Sequence, residues 1–194
     1  DEALRILAPE LVTGTLPQGF ALGVGLAEGA REFSRPWDQL CAAFRRTSVS
    51  ERNPSILAGF LKGGSARDPD WVERVLDAAA KDPTFAGVFV FLQIQVLSGA
   101  AALTRLRSSV LAGQVPVAEL NRLIYAGLHR TFDDDELTSI MDALIARDGG
   151  VAIALGILEM RMLEPGRDAP SGHLLACSSQ ALMRWEFAET DDSS

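Results

Sequence analysis

The chain has 194 residues, 47% of them hydrophobic, enough to bury a sizeable core in one domain or one stretch of a solenoid without covalent staples. Eighteen basic residues against 26 acidic ones leave a net charge of −8, which gives the whole chain no attraction for phosphate backbones or anionic membranes. Cys41 and Cys177 lie far apart and form no CxxC-type pair, so neither a disulfide framework nor a zinc module is indicated, and reduced, buried thiols in a cytoplasmic protein are expected.

The chain opens at Asp1 with no basic stretch leading into an apolar one, so we expect a piece of a longer protein or a processed one. Leu4, Leu7 and Leu11 suggest a first helix, and Gly14, Pro17 and Gly19 a turn. The segment from Phe20 to Phe33 is apolar but carries Gly23, Gly25 and Gly29. Each costs a helix about 1 kcal/mol relative to alanine, so a helix here requires tight packing against a neighbour. A phosphate-binding glycine loop would need a preceding strand and a lysine with Ser/Thr at Walker spacing, and it has neither. Residues 1–35 read as a helical cap.

From Pro36 the chain falls into units whose opening signals, Pro36, Asp68-Pro69, Gly99 and Asp133, are 32, 31 and 34 residues apart. In the first, Trp37, Leu40, Cys41 and Phe44 form an amphipathic stripe over a helix at about 36–48. Asn53-Pro54 then starts a partner helix carrying Ile56, Leu57, Phe60 and Leu61, for which Gly63-Gly64 is expected to supply a left-handed stop at about 62. The second unit repeats this grammar with Val72, Val75, Leu76 and Ala79 after Asp68-Pro69, and a helix over 83–97 after Asp82-Pro83. The third has Leu103, Leu106 and Val110 closed by Gly113, then a helix from Pro116 to His129 bearing Leu120, Leu123, Ile124 and Leu128. The fourth has Leu137, Ile140, Met141 and Leu144, a stop at Gly149-Gly150, and a return helix lined by Val151, Ala154, Leu155, Leu158 and Met162. The register positions Trp37, Val72, Leu103 and Leu137 drift by 35, 31 and 34 residues, as degenerate repeats do.

The stretch Val88–Leu97 is rich in β-branched and aromatic residues and alternates toward its end like a strand. The helix-start signal at Asp82-Pro83 and the stripe Phe85, Val88, Phe89, Leu92 and Val96 favour a helix. No apolar run reaches the roughly 20 residues of a membrane-spanning helix; Phe85–Leu97 and Val151–Leu158 are too short or interrupted. After residue 163, Glu164-Pro165-Gly166 is a turn, and a helix bearing Leu174, Ser178, Ala181, Leu182 and Trp185 completes a C-terminal segment over 164–188. Residues 189–194 are acidic and polar and read as a disordered tail.

Signatures of chemistry are sparse. His129 is expected to close the helix from Pro116, where it complements the dipole. His173 and Cys177 share a helix face at i, i+4, but two further ligands for a tetrahedral metal are missing. Asp133-Asp134-Asp135-Glu136 reads as a capped first helical turn, since the alternating ligands and central glycine of a calcium loop are absent. Ser108, Ser109, Ser178 and Ser179 have no His or Lys partner at a recognisable spacing, and there is no GxSxG elbow. No catalytic, cofactor or metal residue is therefore assigned. Arg45, Arg46 and Arg52, and Arg105 with Arg107, are the local basic clusters, read as solvated helix faces. Trp37 and Trp185 read as core, whereas Trp71, one position before the Val72 stripe, is expected to be partly exposed and available to a partner.

Together these readings give an all-α fold, a right-handed α-solenoid of about four to five antiparallel helical hairpins over 36–163, a HEAT- or TPR-like superhelix. The consensus patterns of tetratricopeptide and ankyrin units are absent. The run of hairpins from Pro36 to Leu163 resembles HEAT-like α-solenoid repeats. Asn53-Pro54, Gly59-Phe60-Leu61, Leu76-Asp77, Asp82-Pro83, Leu92-Gln93, and Gly149-Gly150 followed by Ala154-Leu155 and Ile157-Leu158 look like helical-repeat regions of very large bacterial multidomain proteins. Some of these carry a STAND-type nucleotide-binding module elsewhere and act in antiviral defence. The resemblance implies a sensing or scaffolding segment, with any nucleotide chemistry outside these residues. The leading expectation is a non-catalytic protein-interaction module whose partner is another protein or other domains of its parent chain. Trp71, Arg45, Arg46, Arg105 and Arg107 are its candidate contact residues. One alternative is an all-α enzyme or small-ligand protein with a pocket near the Gly-rich helix at 20–33. Another is a nucleic-acid-binding repeat, which needs Arg45, Arg46, Arg105 and Arg107 on one basic stripe.

Overall fold

A computed structural model describes the backbone of residues 2–13 and 18–191, and the side chains as far as Trp185. Among the described residues the regular structure is helical, without a strand; Thr13 and Arg52 form an isolated bridge. The chain forms two compact units, Asp1–Val96 and Leu97–Ser194.

The first unit contains α1 (Glu2–Leu11), α2 (Gly19–Gly29), α3 (Ser34–Arg46), a 3-10 turn (Val49–Glu51), α4 (Ser55–Ser65), α5 (Pro69–Ala79) and α6 (Phe89–Gln93). Gly14 and Pro17, expected in a turn before α2, lie outside the described residues. The start of α5 follows its sequence signal: the Asp68 side chain accepts from Trp71 N at 2.9 Å, and Pro69 sits in the first turn, where its missing N–H is harmless. On α3 the stripe Trp37, Leu40, Cys41 and Phe44 is buried.

The Gly-rich segment is helical, and α4 provides the close packing its sequence requires. A Cβ on Gly23 would lie 2.8 Å from Phe60 N, and one on Gly59 2.8 Å from the Phe20 carbonyl carbon. One on Gly63 would lie 2.8 Å from Val24 O. The two helices therefore meet backbone to backbone, and dispersion contacts along that seam offset the weak helix propensity of the glycines. This corrects the expected stop at Gly63-Gly64. Neither residue has positive φ, and α4 continues through both to Ser65. Gly63 receives α2, and Gly64 lies under the Trp71 ring, where a Cβ would be 3.3 Å from Cζ3.

The expected helix over 83–97 shortens to α6, flanked by tighter turns such as Phe85 N to Asp82 O at 3.0 Å and Val96 N to Gln93 O at 3.0 Å. Val88, Val90, Ile94 and Val96 are stiff at χ1 and crowd a preceding helical turn. Gln93, fully buried, closes the segment by donating from Nε2 to Val96 O at 2.8 Å.

The second unit contains α7 (Gly99–Leu111), α8 (Val117–Leu120), α9 (Arg122–Tyr125), α10 (Leu128–Thr131), α11 (Asp134–Ile145), α12 (Gly150–Leu163) and α13 (Gly172–Asp191). Left-handed glycines punctuate it as expected, with Gly113 at φ 72° after α7 and Gly149 at φ 72° before α12. The single helix expected from Pro116 is instead three one-turn pieces, broken before α10 by Gly127 at φ 77°. All three touch α12, and each buries a leucine: Leu120, Leu123 and Leu128. Leu174, Cys177 and Ala181 are the buried apolar stripe of α13, which packs on α11 and α12. The backbone of α13 runs to Asp191, into the segment expected as a tail, whose last three residues lie outside the described ones.

The α2–α4 seam makes opposite predictions for two glycines on one helix. Gly59→Ala, or Gly23→Ala on α2, should cost roughly 2–3 kcal/mol in urea unfolding, because a backbone must move. Gly25→Ala, with nothing within 4 Å of its Cβ, should gain up to about 1 kcal/mol from helix propensity. Equal effects of Gly23→Ala and Gly25→Ala would show that the helices do not meet in this register.

Candidate interaction surface

Polar chemistry in both units is dominated by arginines that reach the carbonyls at helix C-termini, groups no intrahelical bond can satisfy. Arg67 donates from Nη1 to Ala27 O, Glu28 O and Ala30 O, at 2.7, 3.0 and 2.8 Å, closing α2. Arg52 closes α3 through Thr47 O at 3.0 Å and Arg45 O at 3.3 Å, and also reaches Thr84 O. Arg147 closes α7 through Val110 O, Gly113 O and Val115 O. Arg167 closes α10 through Arg130 O and Phe132 O, and Arg184 closes α11 through Ile145 O at 2.8 Å. Sequence reasoning missed all of these except Arg52, which it placed on a solvated face. For Arg67, Arg147, Arg167 and Arg184 the available signal was an arginine following a helix end by about one repeat length; Arg52 closes α3 from only five and seven residues away.

The surface of the first unit that combines aromatic and cationic groups lies between α3 and α5. Trp37 and Trp71 meet edge to face, with centroids 6.0 Å apart. Phe33 and Phe60 complete the cluster, at 5.0 and 5.9 Å from Trp71. Beside it, Phe44 stacks on Phe85 at 5.6 Å. A groove of about 340 Å³ opens over Trp37, Trp71 and Phe85, with Ser34, Arg45, Arg74 and Asp82 on its walls. Arg45 lies over the Phe85 ring, 5.7 Å from its centroid, and donates from Nη2 to Asp82 Oδ2 at 2.9 Å. Burial pushes the Asp82 carboxyl up, but bonds from Thr84 and Arg45 outweigh it and hold the group below the ordinary carboxylate range. On the other flank of α3, a groove of about 620 Å³ against α1 is lined by Arg5, Arg35, Arg46 and Asp38. Its Gln39 Oε1 is buried and has no hydrogen-bond partner.

The five sequence candidates therefore have different fates. Trp71 is 8% exposed, not partly exposed as expected, because its ring is inserted among Phe33, Trp37 and Phe60 above Gly64. It is among the residues that line the groove. Arg45 is exposed beside it, and Arg46 is exposed on the opposite flank of α3, with Nε on Ala42 O at 3.0 Å. Arg105 is buried, against the expectation of a solvated face, while Arg107 is exposed. A basic stripe through all four arginines is thus not available. Trp185, expected in the core, is 40% exposed.

In the second unit, Asp133 and Glu136 form the expected capping box, with bonds of 2.8 and 3.0 Å. Asp134 does more than cap. It receives Arg161 Nε at 2.8 Å and Ser171 N at 2.7 Å, so it anchors the loop between α12 and α13. Burial pushes its carboxyl up, but the bonds from Ser171 and Arg161 outweigh this and hold it below the ordinary range. His129 lies in the last turn of α10, buried, with Nε2 3.1 Å from Glu164 Oε2, which also accepts Arg130 Nε at 3.0 Å. The hydrogen bond from Arg130 is the main reason that the Glu164 carboxyl is held low.

His173 and Cys177 engage different acids, His173 Nδ1 at 3.0 Å from Asp135 and Cys177 Sγ at 3.3 Å from Asp142. Burial, with the nearby Asp142 carboxylate, pushes the Cys177 thiol up to about 12, and burial raises the Cys41 thiol further, so neither is a ready nucleophile. Among the described residues no group of three or more His, Cys, Asp or Glu could hold a metal ion, and no helix is long and apolar enough to cross a membrane. No protein-family model, curated protein or solved structure matches the chain.

The Asp134–Arg161 pair carries a pH signature. A depressed carboxyl contributes stability that is complete above its unfolded value of 3.8 and is lost as pH falls through the lower folded value. Asp134→Asn leaves Arg161, 6% exposed at its side chain, without a counter-charge and should cost about 3 kcal/mol at pH 7. Thermal unfolding between pH 7 and pH 2.5 reads both effects. The variant should start less stable and lose less on acidification, and parallel curves for the two proteins would refute the assignment.

Proposed function

We propose that this chain is a non-catalytic protein-interaction module, a right-handed α-solenoid of about four to five helical hairpins that presents helix faces and grooves to a partner. Following the resemblance above, it serves as a sensing or scaffolding segment of a larger bacterial multidomain protein, in the cytoplasm, where unbridged Cys41 and Cys177 would stay reduced.

The architectural part is supported by the span of the arginine caps. Arg67 reaches back 37 to 40 residues, Arg147 32 to 37, Arg167 35 to 37 and Arg184 39. These four spans are each about one repeat, as when a hairpin closes an open helix end of the one before it; Arg52, which closes α3 from five and seven residues away, works within its own unit. The observation that carries the interaction reading is the α3–α5 groove, which brings two tryptophans and two exposed arginines, Arg45 and Arg74, to one lining. Tryptophan and arginine are the residue types that dominate binding hot spots.

Small-angle scattering and site-directed crosslinking test the two parts. A stacked array should give a radius of gyration clearly above the roughly 16 Å of a compact 194-residue domain, and a value at 16 Å would overturn the solenoid. A photo-crosslinking residue at Arg74, and others along α3 and α1, should yield discrete adducts in cells that protease degrades and nuclease does not. Nuclease-sensitive adducts, or none at any position, would count against a protein partner.

A further inference from the structure

We infer that the α3–α5 groove is the docking slot for a short acidic segment of a partner protein, seated by one aromatic or branched apolar anchor. This rests on the interaction-module reading and names the chemistry of the partner.

The floor selects the anchor. Trp37 and Trp71 both line the groove, and each keeps 8% exposure. Ala78 and Ala79, both small, keep the α5 wall low. A volume of about 340 Å³ holds one large side chain and its flanking backbone and is at the small end of ligand sites. Covering what the two tryptophans leave exposed removes apolar surface from water, and an aromatic anchor can add ring contacts.

The rim selects the charge. Its ionisable groups are Arg45, Arg74 and Asp82, two cations to one anion, and Asp82 already accepts Arg45. On a chain with a net charge of −8, the groove lining is net positive by one charge, that of Arg74 beside the Arg45–Asp82 pair. The Arg45 side chain is 50% exposed, and its place over the Phe85 ring holds the guanidinium without using all five of its donors. A carboxylate on either side of the anchor would meet Arg45 and Arg74 in charge-assisted bonds. A basic or neutral segment would forgo both, so the rim also discriminates.

The probe is a fluorescein-labelled ten-residue peptide library with four Asp or Glu residues flanking one Trp, Phe or Leu, titrated against the full chain by anisotropy. At least one member should bind with Kd near 10 μM, and replacing its anchor by Ser, or its acids by Gln, should weaken binding about tenfold or more. Arg74→Glu and the groove-filling Ala78→Trp should each weaken it to the same degree, while Lys62→Glu, exposed on α4 and outside the groove, leaves it unchanged. Both groove residues are exposed, so unchanged thermal unfolding of the variants confirms that they fold.

Absence of binding by every member, or equal binding by wild type, Arg74→Glu and Ala78→Trp, overturns the inference. So does sedimentation showing that the chain self-associates and that Arg74→Glu abolishes this, because the occupant is then a second copy. If the peptides fail while the protease-sensitive adducts persist at other positions, the inference falls alone. If the adducts fail too, the interaction reading falls with it.

Discussion

Every α-helix ends in carbonyls that its own backbone cannot satisfy, and the number of helices packed into this chain makes that the constraint on which the rest of the structure depends. Water can meet such groups at a free end but not where a neighbouring element covers them. Here the answer is repeatedly a guanidinium. Its planar fork can bond several carbonyls converging at one helix end, and a positive charge there also suits the dipole. Arg67 at the end of α2 shows the full arrangement, with three carbonyls within 3.0 Å and the Phe33 ring 5.0 Å below the guanidinium. A lysine would offer a point charge without the flat face that rests on the ring.

The α2–α4 seam solves the complementary problem. Arginines tie helix ends together, but they cannot bring helix bodies close, and the glycines do that by removing the Cβ atoms at Gly23, Gly59 and Gly63. The close approach then sets what lies beside it. With α4 drawn against α2 and Gly64 open on its other flank, the Trp71 ring descends onto α4 and meets Phe33, Trp37 and Phe60. The aromatic floor of the groove is thus a consequence of small residues on a different helix.

This explains what could be read from the amino-acid pattern and what could not. Starts and stops made by local chemistry were legible: Asp68-Pro69, the Asp133–Glu136 box, and the left-handed Gly113 and Gly149 all stand where the pattern put them. Features decided by a neighbour were not. Gly63-Gly64 looks like a stop until α2 and α5 are seen to need the space, and the helix from Pro116 looks continuous until α12 is seen to hold its three pieces. The groove was half legible. Trp71 and Arg45 were named as separate candidate contacts and not as parts of one groove, and the exposure expected of Trp71 was wrong, since its position beside the stripe reflects a wide buried face rather than a free one. Nothing local distinguishes most of the capping arginines from solvated ones; Arg67, Arg147, Arg167 and Arg184 are marked by carbonyls 32 to 40 residues away, whereas Arg52 reaches back only five and seven residues to close α3.

That last distinction also separates structural from available arginines. Three guanidinium groups in the first unit lie over phenylalanine rings: Arg67 over Phe33, Arg52 over Phe44 and Arg45 over Phe85. In Arg67 and Arg52 the donors go to three backbone carbonyls each, so their charge is fixed inside the fold. Arg45 has the same aromatic seat but bonds one carboxylate, Asp82, and its side chain remains half exposed. The seat would limit the entropy lost on binding, and Arg45 lines the groove instead of bonding the carbonyls of a helix end. A device that elsewhere closes helices is, at this one place, left open toward the surface, and for that reason the α3–α5 groove, rather than the arginine-rich helix ends, is where a partner would gain most.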